Sequence, residues 1–481
     1  MNSKLHNNWH TIFLTILCAA LIVFKWEALH LPFFWDEAWV YMPAIRTMAE
    51  QGPSIMPASI DADLYTGHPL LFYFMASVWI KFWGYSLPIA HSLPLLISIA
   101  LLISVYVLAT GLTQNKFTGV LASLLVGIQP IFLAQSTYLL IEVWLGLLFV
   151  WSFYFYFNQK WKTFAICVVL ALWSKESAFT LIPAFGLIAI YQTLTKQHSS
   201  SRMLKLFGLL AFCFVIGFSF FVIQKIKLGW YFFPRHANWI NLDETWGKFN
   251  ASLFTLFVTQ GRSIILIITL AIFAFVYIKH NHRFTKQQQQ FLVGTLIFAF
   301  GFILFASINF FSPRYLFGAL PLLLTSAALL ISTFKFKYHQ AAFIFIFIFS
   351  VLGSININES MNGKKWGDVE LSYVHLLKAQ IDFANYFTAH VKTEKTYAPF
   401  LMCVNLTNTF AGMVTKPMPN LTVLSTDSAI EYYIRIPNEL DDNVEQLINS
   451  NKIKLVKRVV EQQAWIELYK KMTIISIIAI Q

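Results

Sequence analysis

The chain has 481 residues, 57% of them hydrophobic and only 12% charged, with a mean hydropathy of +0.61. A soluble domain carries roughly 25% charged residues, so this composition excludes an ordinary soluble enzyme and predicts a polytopic membrane protein. Its 35 Lys and Arg outnumber 23 Asp and Glu, yet no basic run with interleaved aromatics lies outside the loops, which argues against a nucleic-acid partner. Cys18, Cys167 and Cys213 lie in apolar runs and Cys403 stands alone in the polar tail, so neither a disulfide framework nor a metal spacing emerges.

The first apolar run, "TIFLTILCAALIVF", lacks a small-residue cleavage site and reads as an anchor rather than a removable signal. A helix needs roughly 20 apolar residues to cross a bilayer. Runs approaching that length fall near 11–29, 87–110, 117–135, 137–157, 161–174, 178–193, 203–223, 262–279, 291–308, 315–333 and 341–357. The expected fold is all-α in the membrane, about eleven transmembrane helices over 1–357, with long outer loops at 30–86 and 224–261. The stretch "PLLFYFMASVWIKFW" (69–83) is too short for a safe span and is expected to be re-entrant or interfacial. From about 358 the chain turns polar. The amphipathic "DVELSYVHLLKAQIDFANYF" precedes alternating runs such as "EYYIRI" and "AWIELY", which predicts a small α/β domain over 358–481.

Loop charge sets the orientation. With 69–83 non-spanning and the N-terminus inside, the inner loops hold Lys116, Lys160, Lys162, Lys196, Arg202, Lys205, Lys279, Arg283 and Lys286 among others, without one Asp or Glu. Counting 69–83 as a span would turn "NQKWK" and "KHNHRFTK" outward, against the positive-inside rule. The expectation is a multi-pass protein of the inner or plasma membrane, its acidic loops and polar tail extracytoplasmic.

Most other ionisable residues gather on that outer face. Asp36 and Glu37, in "LPFFWDEAWVYM", follow the first span. They are hydrated acids at a helix end, or dipole partners of the amphipathic "EAWVYMPAIRTMAEQG" lying on the membrane. Alternatively, Asp36 is a general base, activated by partial burial, that takes a proton from an acceptor hydroxyl. Asp61, Asp63 and His68 form D-x-D-x4-H, a spacing open both to a divalent metal ion and to ordinary loop polarity. Glu142, in "STYLLIEVWLGLLF", and Lys175–Glu176, in "LALWSKESAF", interrupt apolar runs. Such residues either snorkel outward or serve function, because charge at membrane depth is costly. Arg314 and Tyr315, in "SPRYLFGALPLL", form either an interfacial anchor or a phosphate contact made through the guanidinium fork. Arg235 and His236, in "YFFPRHANWI", offer the same alternatives.

Taken in order, "WDEAWVY", "GHPLLFYF", "GYSLPIAHSLP", "YLLIE", "LALWSKESAF" and "SPRYLFGALPLLL" resemble the GT-C glycosyltransferases of the protein O-mannosyltransferase and lipid A aminoarabinose transferase type, over roughly residues 10–335. The resemblance implies a polyprenyl-phosphate sugar donor, a lipid, glycan or protein acceptor, catalysis on the extracytoplasmic face and inversion at the sugar. It makes Asp36 the catalytic carboxylate, His68 and Glu142 its neighbours and Arg314 a contact for the lipid phosphate. Three positions depart from the pattern: His91 stands where an Arg is usual, Glu142 where an Asp is, and Glu176 where a Gly is.

The residues suit this chemistry independently. A lipid-phosphate sugar already carries its leaving group, so a base and cations suffice, and the chain has no Gly-rich nucleotide loop. Its 48 Phe and 15 Trp offer material for a lipid groove. The alternatives are a transporter or lipid flippase, against which stand the lack of internal repeats and the clustering of acids on one face, and a non-catalytic scaffold, which leaves the motif order unexplained.

The orientation is testable with single cysteines in a background lacking the native ones. A cysteine at Ser199 is expected to react with an impermeant reagent only from the cytoplasm, and one in 400–440 only from outside. The reverse pattern would also remove Asp36 from the outer face.

Overall fold

In a computed structural model of the chain, residues 8–197, 199–234, 240–280, 284–333 and 369–472 are described, with positions 238 and 367. The eleventh expected span, 341–357, lies outside them. The molecule is an all-α membrane bundle followed by a small α/β unit.

Five described helices are long and apolar enough to cross a membrane unaided: Leu87–Thr113, Glu176–Leu194, Ser200–Leu228, Lys286–Ile308 and Pro313–Ile331. Trp9–Lys25, Lys116–Gly127, Glu142–Phe157 and Trp161–Leu172 are apolar but shorter. Hydropathy sums over breaks that the backbone respects. The run 117–135 is cut before Pro130, which opens a second short helix, Pro130–Gln135. Leu71–Trp83 has 13 residues, about 20 Å at 1.5 Å per residue, which is short of the roughly 30 Å hydrocarbon core. The expected outer loop 224–261 contains a helix, Thr245–Phe257, which meets Arg262–Ile278 at a 71° bend. Buried Arg262 fills that bend, donating to the Thr255 carbonyl (Nε, 3.1 Å), Gln260 (2.8 Å) and Gln129 (3.2 Å).

Polar side chains cap three helix starts at one end of the bundle: Asn115 accepts from the Phe117 amide, Ser199 from Arg202, and Thr285 forms a capping box with Gln288. Gln287 donates to the Phe157 carbonyl and Gln288 to that of Leu112, gathering three loops at one end. The interior is largely phenylalanine. Phe149, Phe153, Phe185, Phe291 and Phe298 are fully buried and meet edge-on or tilted, as in Phe149–Phe298 at 5.1 Å. These rings form a core, so they are not the expected lipid groove.

At the other end, residues 30–86 fold over the bundle. Glu37–Tyr41 is one turn of π-helix and runs into Met42–Gln51. The apolar face of the latter, with Ala44, Ile45 and Met48 buried, packs on Leu71–Trp83. That apolar face is therefore covered by protein.

The C-terminal unit begins with helix Tyr373–His390 and carries a five-stranded sheet. Its strands are β1 (Thr396–Tyr397), β2 (Leu421–Thr422), β3 (Tyr432–Arg435), β4 (Ile453–Glu461) and β5 (Ala464–Lys471), in the order β2-β1-β3-β5-β4. The pairs β1–β2 and β1–β3 are parallel, whereas β3–β5 and β4–β5 are antiparallel. This unit grips the first loop: the Phe33 amide donates to the Ala411 carbonyl (2.9 Å), Phe400 stands edge-on to Trp39 (5.4 Å), and Arg46 lies 3.3 Å over the Phe410 ring.

Candidate functional site

Each charged residue of interest sits where irregular backbone gives way to a helix. Trp35 takes a left-handed φ of +46°, a conformation costing about 1–2 kcal/mol for an L-residue, and the π-turn follows at once. This backbone sends adjacent carboxylates in different directions. Asp36 remains one-fifth exposed and pairs with Arg314. Glu37 turns inward and is 1% exposed. Its carboxylate accepts from the amides of Phe34 (3.1 Å) and Leu139 (2.5 Å), with His91 Nε2 at 3.5 Å.

Arg314 lies in the turn Pro313–Ala319, seated tightly because a Cβ on Gly318 would come within 2.6 Å of Phe149. Besides Asp36, its Nε lies 3.7 Å from Glu142 Oε1, which also accepts from Lys175 Nζ at 2.9 Å. Glu142, Lys175 and Arg314 are all buried. The result is an alternating row of charges, Lys175–Glu142–Arg314–Asp36, ending at the partly open Asp36 carboxylate. Tyr315 lies beneath it, its ring 3.9 Å from Lys175 Nζ and 5.3 Å from the Arg314 guanidinium carbon. Such burial is tolerable because every charge has an opposite neighbour. Glu142 Oε2 has no hydrogen-bond partner among the described residues.

His68 follows Gly67, whose φ is +79° and whose missing Cβ leaves room for Phe233. Its Nδ1 meets Glu176 at 2.7 and 2.9 Å. The cluster expected from Asp61, Asp63 and His68 does not assemble: His68 engages Glu176, Asp61 accepts from Gln51 at 3.4 Å, and among the described residues no three His, Cys, Asp or Glu are grouped to hold a metal. Arg235 and His236 lie outside the described residues.

All three departures from the family pattern meet a residue of complementary chemistry, Glu142 in the charge row and the other two elsewhere. His91 faces Glu37 and Glu176 faces His68.

Sequence reasoning missed four contributors. Tyr41 and Tyr73 stack at 5.2 Å, and Tyr41 is within electrostatic reach of Glu142, Arg314 and Tyr315. Burial pushes both phenols above their ordinary range, keeping them neutral. Lys25, buried at the end of the first helix, donates to Tyr373 Oη at 2.7 Å, and the Tyr373 ring packs on Tyr138 and Phe34. The only sequence signal was a lysine and tyrosines inside otherwise apolar segments.

No family model matches the sequence, and no curated protein matches it. Solved structures do. ArnT from Cupriavidus metallidurans bound to undecaprenyl phosphate is similar over 96% of this chain and 98% of its own, at 12% identity and a TM-score of 0.59. Its apo state gives the same coverage and identity with a TM-score of 0.54. The archaeal oligosaccharyltransferase AglB from Archaeoglobus fulgidus, in complex with an inhibitory peptide and a dolichol-phosphate, is similar over 90% of this chain and 70% of its own, at 10% identity and a TM-score of 0.51. These neighbours are GT-C glycosyltransferases, and this chain shares their fold.

Glu37 faces inward and accepts from two backbone amides, so its loss should be read in stability. An unsatisfied buried donor costs about 1–3 kcal/mol. Glu37→Ala strands two amides and should lower the thermal midpoint in detergent well below that of Glu37→Gln, which keeps an acceptor oxygen. Equal midpoints would show that Glu37 does not hold the loop.

Proposed function

We propose that the chain is an integral-membrane glycosyltransferase that moves a sugar from a polyprenyl-phosphate-linked donor to an acceptor on the extracytoplasmic face, with inversion. The observation that carries this reading is the Asp36–Arg314 pair at the open end of a buried charge row. It sets a carboxylate base beside a phosphate-matching cation. Support also comes from the shared fold and from two similar structures that hold undecaprenyl phosphate and a dolichol-phosphate. Charges collected at helix ends, rather than at mid-depth between repeated halves, favour transfer over transport.

Inversion requires one displacement. The acceptor oxygen forms a bond to the anomeric carbon as the bond from that carbon to the phosphate oxygen breaks, and the phosphate departs with the electron pair. Asp36 receives the proton of an acceptor hydroxyl; an acceptor phosphate oxygen, already anionic, needs no base. Arg314 neutralises the departing phosphate, aided by Lys175 through the shared Glu142. The two roles are linked. In the resting site Arg314 holds Asp36, so an incoming phosphate competes for the guanidinium and releases the carboxylate to act as base. Tyr41 and Tyr73, neutral and buried behind the charge row, and Glu142 back the site with hydrogen-bonding groups. His68, tied to Glu176, lines the same outer face. The C-terminal unit closes over the loop that carries Asp36.

The test is incubation of purified protein with a panel of polyprenyl-phosphate sugars, following donor consumption and release of polyprenyl phosphate. One donor should be consumed. With it, Asp36→Asn should slow single-turnover transfer by about 10²–10⁴-fold, the usual worth of a general base, while still binding donor. Turnover at the wild-type rate would leave Asp36 a hydrated helix end. Arg314→Ala should raise the donor KM or lower kcat, with Arg314→Lys restoring only part because a point charge lacks the fork; unchanged kinetics in the alanine variant would make Arg314 an interfacial anchor.

A further inference from the structure

The bundle carries a second feature, at the end opposite Asp36, that glycosyl transfer does not use. Glu142 opens a helix that Tyr156 nearly closes, a separation of about 21 Å at 1.5 Å per residue. At that far end a cavity of about 300 Å³ lies between the starts of Trp161–Leu172 and Ser200–Leu228 and the end of Leu181–Leu194. Its composition is graded. Arg202 and Lys205 stand at the rim, and the Arg202 guanidinium is held 5.5 Å over the Trp161 ring. The walls are aliphatic, with Leu206 and Leu209 one turn further along the same helix. The floor is polar but uncharged: Gln192 accepts from Tyr156 Oη at 2.9 Å and donates to Gln290 at 3.0 Å. None of the lining residues is acidic, and the loops at this end contain no Asp or Glu.

Two cations over neutral amide and hydroxyl groups, continuous with an apolar wall and an interfacial tryptophan, match a molecule with an anionic head and a hydrocarbon tail. We propose that this cavity seats an anionic phospholipid of the facing leaflet, its phosphate between Arg202 and Lys205 and an acyl chain along Leu206 and Leu209. The complementarity is one of charge as well as shape. A zwitterionic phospholipid brings a choline cation toward a rim that already holds two positive charges and offers it no carboxylate. Trp161 opens its helix, and indole rings at the ends of membrane helices prefer the headgroup boundary. The site is independent of the glycosyl-transfer reading, since it shares no residue with the charge row around Arg314.

The experiment measures lipid retained by the purified full chain after exchange into mixed micelles containing phosphatidylglycerol or phosphatidylcholine, counted by mass spectrometry. A basic residue near an anionic headgroup contributes about five-fold in affinity. Wild-type protein should therefore retain phosphatidylglycerol at least about five-fold better than phosphatidylcholine. The double variant Arg202→Gln, Lys205→Gln should lose most of that preference, and Lys116→Gln, at the same end but outside the cavity, should keep it. Thermal midpoints in phosphatidylcholine alone should coincide for all three proteins, because these side chains are at the rim rather than in the core. Equal retention of the two lipids by wild type would overturn the proposal. So would an unchanged preference in the double variant, or a loss in Lys116→Gln as large as in the double variant, which would mark a diffuse basic surface instead of a site.

Discussion

The Arg314 guanidinium lies between two carboxylates, one buried and one partly open, and this end of the bundle is arranged around it. Glu142 needs a cation because it opens an apolar helix. Lys175 supplies one and Arg314 a second, which leaves the row with excess positive charge until Asp36 closes it. A charge in such a place is stable only while its neighbours persist. This constraint fixes the turn Pro313–Ala319 against Phe149, the break at Ser174–Lys175 and the position of Asp36 relative to both. The terminal member of the row is also its most exposed, and in the proposed mechanism it is the one that a bound anion replaces.

A second layer holds Asp36 in register. The residues around it are fastened from below by Glu37, whose carboxylate ties Phe34 to Leu139, and from above by the C-terminal unit, through Tyr373 on Phe34, Phe400 on Trp39 and Ala411 on Phe33. The segment 30–86 carries two helices that pack on each other, Met42–Gln51 and Leu71–Trp83. Clamped between bundle and sheet, it presents one carboxylate in a defined direction, which the proposed role of a base in a displacement with reacting atoms about 3–3.5 Å apart would require.

Much of this was legible in the sequence because charge is rare in so apolar a chain. Asp36, Glu142, Lys175 and Arg314 stood out as acids and bases at the ends of apolar runs, and their order carried the resemblance that the shared fold bears out even at 12% identity. Direction and pairing were less legible. Nothing in "WDEAWVY" indicates that a left-handed Trp35 and a π-turn would send Glu37 inward and leave Asp36 outside. The spacing of Asp61, Asp63 and His68 suggested a cluster, but the carboxylate that meets His68 is Glu176, 108 positions later in the chain. Tyr41 and Tyr73 were hidden among aromatics that make up 17% of the residues. Helix count was obscured for another reason: a hydropathy window adds apolar residues across Pro130, where the backbone breaks, and the helix Thr245–Phe257 falls in a stretch that reads as loop.

If Arg314 exchanges Asp36 for a lipid phosphate, the two side chains should affect binding of that phosphate in opposite senses. The direct measurement is the affinity of purified protein for undecaprenyl phosphate without a sugar, compared between wild type, Asp36→Asn and Arg314→Gln. Removing the carboxylate frees the guanidinium and should tighten binding several-fold, whereas removing the guanidinium should weaken it. An Asp36→Asn variant that binds no tighter than wild type, or an Arg314→Gln variant that binds equally well, would contradict the account.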